Sequence, residues 1–208
     1  MVGRTEGRSV LARAVGLVLA AALLVPALAH AQFSDSYNFL KAVRDRDGAK
    51  VTEFVDAPGV TIINTRDNST GETALHIVIA RRDAVWINFL LAKGAKPNLT
   101  DNKGVTPLMQ AAQLRFLDGA RLLLAGGATV DKANDRGETP LIRAVQLRDL
   151  PMVRLLVANG ANPDKVDSLA GMSARDYAKR DSRGPAILTA LDASKPAQAA
   201  SEVEGPKF

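Results

Sequence analysis

The stretch GVTPLM, Gly104–Met109, is the clearest indication of the fold of this chain. Close copies stand 33 residues before it, GETALH at 71–76, and 33 residues after it, GETPLI at 137–142, and a weaker copy, GMSAR, follows at 171–175. A second landmark recurs with the same step, a Gly-Ala pair at 94–95, 127–128 and 160–161. Two landmarks in one register over three copies indicate an internal repeat.

Each copy of the repeat predicts two short helices joined by tight turns. The threonine is suited to a helix N-cap, and proline fits the first helical position, where no backbone N–H is missed. The glycine of the Gly-Ala pair is suited to a left-handed cap that ends the second helix. One unit cannot bury its own apolar face, so the units are expected to stack. Trp86 and Gly119 take equivalent places in successive units, which predicts that the Trp86 ring packs in the core beside the missing side chain.

These units resemble the ankyrin repeat, whose signature is T-P-L-H-x-A at a 33-residue period. The matching residues are Thr73-Ala74-Leu75-His76, Thr106-Pro107-Leu108 and Thr139-Pro140-Leu141. The resemblance implies an all-α ankyrin-repeat solenoid of stacked helix-turn-helix units with short β-hairpin-like finger turns. It also implies a role in binding other proteins. We expect the following divisions: a degenerate N-terminal capping unit at 32–66, three repeats at 67–166 and a C-terminal capping repeat at 167–191.

The first 31 residues have the pattern of a secretory signal peptide. A basic segment with three arginines precedes the uncharged stretch AVGLVLAAALLV at 14–25, and Ala-His-Ala at 29–31 supplies a cleavage site. We therefore expect cleavage after Ala31 and export to the periplasm. An extracellular location and an uncleaved inner-membrane anchor are the alternatives, although Pro26 interrupts an apolar stretch that barely reaches spanning length.

The composition excludes several classes of site. The chain has 208 residues with no cysteine and two histidines, which excludes disulfides, thiolate metal sites and cysteine nucleophiles. Beyond the predicted signal peptide, 24 basic and 21 acidic residues leave a net charge of +3, which is too mild for nucleic-acid binding. The mature chain is expected to have no transmembrane segment. Residues 192–208 are small and polar with two prolines, and a disordered tail is predicted there.

No catalytic residue, metal site or cofactor is expected. His76 has no second histidine beyond the predicted signal peptide, and the resemblance gives it a bracing role within its turn. A carboxylate-based enzyme is the less favoured alternative, because it needs two carboxylates at a fixed separation in a cleft. Turns favour aspartate for conformational reasons, and such aspartates are Asp101, Asp131, Asp135, Asp164 and Asp167.

Four arginines take the same place between the two helices of their units, where ankyrin repeats usually carry glycine. They form a predicted column of Arg46, Arg82, Arg115 and Arg148. One hypothesis is a ridge that binds polyanions or acidic surfaces, because arginine holds carboxylates and phosphates with two parallel hydrogen bonds. The other is a capping role, in which each arginine bonds helix-end carbonyls or a neighbouring aspartate.

The fingers and the inner helices carry the favoured binding hypothesis, because repeat proteins bind through their concave surface. The polar residues predicted there are Lys96, Asn98, Asn102, Lys103, Gln110, Gln113, Asp131, Lys132, Arg136, Glu138, Arg143, Gln146, Lys165 and Ser168. The sequence thus predicts an exported, non-catalytic module that binds another exported or envelope protein.

Overall fold

The computed structural model describes residues 35–57 and 62–193. The predicted signal peptide and most of the predicted tail, 194–208, lie outside the described residues. The helices are α1 (35–45), α2 (Gly48–Asp56), α3 (Ala74–Ala80), α4 (Ala84–Ala92), α5 (Pro107–Gln113), α6 (Leu117–Ala125), α7 (Pro140–Gln146), α8 (Leu150–Ala158), α9 (Ala174–Arg180) and α10 (Pro185–Asp192), with one 3-10 turn at Ile62–Asn64. Asp192, the first residue of the predicted tail, is therefore the last residue of α10.

These helices follow one another as five helical hairpins, α1–α2 to α9–α10. The inner helices α3, α5, α7 and α9 stack in a row, and the outer helices α4, α6, α8 and α10 stack in a second row. The hairpins therefore form the stacked arrangement that the repeat predicts. Within residues 35–57 and 62–193, none of the helices combines the length and the apolar character needed to cross a bilayer.

The repeated threonines and prolines start the inner helices. Thr106 Oγ1 accepts from the Met109 N–H at 3.2 Å, and Thr139 Oγ1 accepts from the Ile142 N–H at 3.2 Å. Pro107 is the first residue of α5, where its missing N–H leaves no hydrogen bond unmade. The capping predicted from the sequence is confirmed in these units.

Leucines of the repeat fill the interface between units. Leu75, Leu108 and Leu141 are at most 1% exposed, and each follows the first residue of its inner helix. Equivalent positions on the outer helices, such as Leu90 and Leu123, are completely buried. Each unit thus covers the apolar face of its neighbour, because a single hairpin has no core of its own.

The prediction that the Trp86 ring packs in the core beside Gly119 is wrong in its detail. The ring is half-buried at the margin of the core, where it meets the Phe89 ring edge-on at 5.7 Å and the Arg81 guanidinium at 5.0 Å. A side chain on Gly119 would instead meet the Phe116 ring at 2.4 Å and Ile79 at 3.1 Å. The missing side chain of Gly119 therefore makes room for the ring of Phe116, the N-cap residue of α6, and for Ile79 of the preceding unit.

Candidate functional site

The fingers are the turns at 67–71, 101–104, 134–137 and 167–171, and each is held by one polar side chain. Asp101 Oδ1 accepts from the N–H groups of Lys103 at 2.8 Å and Val105 at 2.9 Å. Asn134 makes the same pair of bonds with Arg136 and Glu138. Asp67 and Asp167 act in the same way in their own fingers. The carboxylates of these aspartates therefore fix turn geometry, as the turn interpretation predicts.

Successive fingers are joined through their backbones. The N–H of Asn102 donates to Thr70 O at 3.0 Å, and the N–H of Ser168 donates to Arg136 O at 2.8 Å. The glycine of the repeat permits this approach: Gly104 has φ +71°, and a Cβ there would lie 2.6 Å from the Asp135 nitrogen. The fingertips consequently form a continuous row.

A second set of contacts staples the base of each finger to the next unit. Asn98 Oδ1 accepts from the Thr129 N–H at 2.7 Å, and its amide donates to Gly127 O at 3.0 Å. Asp131 accepts from the Asn162 N–H at 3.0 Å, and the Lys165 ammonium donates to Asp131 O at 2.9 Å. Asn98, Asp131 and Lys165 were predicted to bind a partner, but the structure uses their polar groups between units.

A cleft of about 640 Å³ lies between two fingers and the inner helices α5 and α7. It brings together six of the predicted binding residues: Asn102, Lys103, Gln110, Gln113, Arg136 and Arg143. Asp101, Val105, Asn134 and Asp135 also line it: the sequence analysis placed the two aspartates in turns, and Val105 and Asn134 belong to the predicted fingers. The 33-residue step relates two of them to selected residues, because Asp135 is equivalent to Asn102 and Val105 is equivalent to Glu138.

A buried carboxylate, Glu138, which is 6% exposed, is bonded to three of the residues that line the cleft. It accepts from the Asn134 amide at 2.8 Å and pairs with Arg136 Nη2 at 3.2 Å and Arg143 Nη1 at 3.4 Å. The same Arg143 nitrogen donates to Gln146 Oε1 at 2.9 Å. Glu138 is therefore a positioning group that holds two arginines at the cleft, and it offers no free surface to a partner.

The other predicted residues lie outside this cleft. Lys96 is joined to Asn64 through its backbone N–H, at 2.7 Å, and its side chain is exposed. Lys132 is half-buried in the stretch before its finger. Ser168 is exposed at the tip of the last finger.

His76 braces two units. Its Nε2 lies 3.0 Å from Val105 O in the next finger, and its Nδ1 accepts from the Thr73 N–H at 3.2 Å. The residue is 1% exposed, and burial lowers the pKa of the imidazole although the Val105 carbonyl opposes that shift. A neutral imidazole that is enclosed in this way has a structural role.

The arginine column stands in left-handed backbone conformation. The φ angles are positive at all four residues, between 53° and 61°. Arg82 and Arg115 each donate to the carbonyl that ends the next inner helix, at Leu114 and Leu147. Arg148 bonds to both oxygens of Asp181, and Arg46 lies 3.8 Å from Asp83. Every arginine of the column thus reaches the corresponding turn of the following unit.

The described residues contain no group of three or more metal-ligating His, Cys, Asp or Glu side chains. The aspartates after three of the arginines are helix caps: Asp83 accepts from the Trp86 N–H and Asp149 from the Met152 N–H, each at 3.2 Å. These carboxylates are spread along the stack as capping groups, and no pair of them shares a role in one cleft.

Comparison with known proteins decides the family. The sequence model of the ankyrin repeats, which represents three copies, matches residues 39–134 and 84–167. The chain belongs to the ankyrin repeat family. An ankyrin repeat protein of fowlpox virus (strain NVSL) is 42% identical over 50 residues, which cover 24% of this chain. The matched segment spans only 15% of that viral protein. The all-α ankyrin solenoid expected from the resemblance is confirmed, and ankyrin repeats are in general protein-binding modules.

Proposed function

We propose that this ankyrin repeat protein is an exported, non-catalytic module that binds another exported or envelope protein. The contact surface consists of the fingertips and the concave side of the inner helices. The observation that carries the proposal is the cleft between the fingers at 101–104 and 134–137, because it brings together six of the polar side chains predicted to bind. The periplasmic location rests on the pattern of residues 1–31.

The organisation of the fingers supports this surface. Their backbones are held by Asp101 and Asn134, so the side chains at their tips are available to a partner without loss of the turn. The Lys103 ammonium makes no hydrogen bond or ion pair within the described residues, and it is exposed. Leu169, 77% exposed, adds an apolar side chain at the last fingertip. A prearranged surface of this kind binds with little ordering cost.

The arginine column is the alternative site, as a polyanion-binding ridge. Its geometry favours the capping role, since each guanidinium already reaches a carbonyl or a carboxylate of the next unit. A ridge built for anions would leave those groups free for the ligand.

Site-specific photo-crosslinking in the native cell tests the proposal. Photoreactive residues replace Lys103, Arg136 or Ser168 at the fingertips, with Arg82 and Arg148 as the ridge set. Arg121 and Arg154, exposed on the outer helices, serve as the background set. We expect one exported protein to be captured from the fingertips alone. Capture from the ridge set only, or of anionic polymer that is lost at high salt, would instead support the polyanion alternative.

A further inference from the structure

Two polar atoms at the cleft have no hydrogen-bond partner. Gln110 Oε1 and Arg143 Nε are enclosed by protein and are unpaired among the described residues, and both side chains line the cleft. Most buried polar groups in proteins are paired, so a pair of exceptions at one site calls for an explanation. One of these atoms accepts a hydrogen bond and the other donates one.

The two residues occupy equivalent places on neighbouring inner helices. Gln110 lies four residues after the cap Thr106, and Arg143 lies four residues after the cap Thr139. The equivalent residue of the preceding unit is apolar, Ile77. In the following unit it is Tyr177, whose hydroxyl donates to Asp167 at 2.6 Å. The unpaired donor and acceptor are therefore confined to the two units that form the cleft.

The charges around these atoms are balanced. The cleft is lined by the cations of Lys103, Arg136 and Arg143 and by the carboxylates of Asp101 and Asp135, and the two arginines also pair with the buried Glu138. This lining favours a neutral group over a carboxylate or an ammonium, because an unpaired charge would meet like charges on one side. A main-chain amide segment is neutral and carries its donor and its acceptor on separate atoms, so it can pair with both side chains at once.

We propose that the cleft binds an extended segment of the protein partner by one residue's main-chain groups. The N–H of that residue donates to Gln110 Oε1, and its carbonyl accepts from Arg143 Nε. In extended chain both groups of a residue point to the same side, as they do in an antiparallel sheet. A helical segment does not fit, because its N–H and carbonyl groups are already used. This inference rests on the proposed function and specifies the partner's conformation.

Access to the two atoms requires a movement of side chains only. The Gln110 carboxamide and the Arg143 guanidinium must turn towards the cleft, since protein encloses both atoms in the free chain. Turning the Gln110 oxygen breaks no hydrogen bond, because it makes none. Arg143 remains tethered through Nη1 to Glu138 and Gln146, which keeps the guanidinium near its place.

A small peptide mimic tests this assignment on the purified chain. The probe is N-acetylglycine N-methylamide. Its control is N-acetylsarcosine N-methylamide, in which a methyl group replaces the hydrogen on the glycine nitrogen. Binding is followed by the NMR shifts of the backbone N–H groups of Lys103 and Arg136, which line the cleft and are kept in every variant. We expect a saturable shift with the glycine probe and at least tenfold weaker binding of the sarcosine probe. Equal binding of the two probes, or no saturable shift, overturns the proposal.

Matched variants test whether the side chains at 110 and 143 bind the probe. Gln110→Ile copies the residue of the preceding unit and removes the acceptor, and Arg143→Met removes the donor and keeps a long side chain. Each is expected to weaken binding of the glycine probe at least tenfold, while Arg154→Met, the same change on outer helix α8, leaves binding within twofold. Tighter binding of acetate than of the glycine probe overturns the amide assignment in favour of an anion site. Failure of partner capture with intact probe binding contradicts only the proposed function.

Discussion

The arginine in the left-handed turn between the helices of a repeat has two opposing effects on stability, one from its backbone and one from its side chain. Arg115 has φ +53°, a conformation that favours glycine, yet its guanidinium donates to Leu147 O of the next unit. Replacing Arg115 by alanine removes the hydrogen bond and keeps the unfavourable backbone. Replacing it by glycine removes the same bond and relieves the backbone.

The two effects have comparable sizes. The left-handed conformation costs a residue with a side chain about 1 kcal/mol, and one hydrogen bond of this kind contributes about 1 kcal/mol net. Arg115→Ala is therefore expected to lower the free energy of unfolding by about 1 kcal/mol. Arg115→Gly is expected to leave the free energy within about 0.5 kcal/mol of the wild type, since the two contributions cancel.

Urea unfolding of both variants, followed by circular dichroism, measures the difference directly. The glycine variant should be the more stable of the two by about 1 kcal/mol. Equal loss in both variants would mean that the left-handed backbone carries no cost. A glycine variant more stable than the wild type by 1 kcal/mol or more would mean that the bond to Leu147 contributes nothing.

Three further predictions concern other parts of the molecule. Gly104→Ala should lower the free energy of unfolding by well over the ~1 kcal/mol cost of the left-handed backbone, because a Cβ would lie 2.6 Å from the Asp135 nitrogen. Its control is Gly127→Ala, where φ is +87° and no atom lies within 4 Å of the added Cβ. In the same urea assay this variant should lower the free energy of unfolding by only the ~1 kcal/mol backbone cost. Burial lowers the pKa of His76, so the unfolded chain takes up the proton first as the pH falls through 6.5, and stability should fall below that pH. His76→Met, which copies Met109, should lack this fall between pH 7.5 and 5.5 in thermal unfolding, and an identical fall in the variant would assign it to other groups. Export predicts a mature protein that begins at Gln32, which N-terminal sequencing of the periplasmic fraction reads directly; a chain beginning at Met1 would contradict cleavage.

The fold could be predicted from the sequence because each repeated residue has a local physical role. Thr106 and Pro107 have the side chain and the fixed φ that favour the start of a helix, and Gly94 ends one in the left-handed conformation, with φ +88°. These roles depend on the nearest backbone and hardly on the rest of the chain. The arginine column could also be found from the sequence, since its four residues stand where the family usually has glycine.

The details that the sequence did not show depend on the neighbouring unit. Asn98 resembles a free finger residue in the sequence, but its amide bridges to Gly127 and Thr129, about thirty residues away. The environment of Gly119 is set by Phe116 and Ile79, which the 33-residue register does not pair with it. The unpaired atoms of Gln110 and Arg143 likewise arise from packing around the cleft, and no local pattern encodes them.

We propose that the concave face, and not the arginine column, holds the partner. The most direct test compares the affinity of the captured partner for three forms of the chain: the wild type, the fingertip variant Lys103→Ala/Arg136→Ala, and the column variant Arg82→Gly/Arg115→Gly. Glycine in the column variant should preserve the stack, because relief of the left-handed backbone offsets the lost hydrogen bond. We predict at least tenfold weaker binding for the fingertip variant and a change within twofold for the column variant. Unchanged affinity of the fingertip variant, with a large loss in the column variant, would contradict the account.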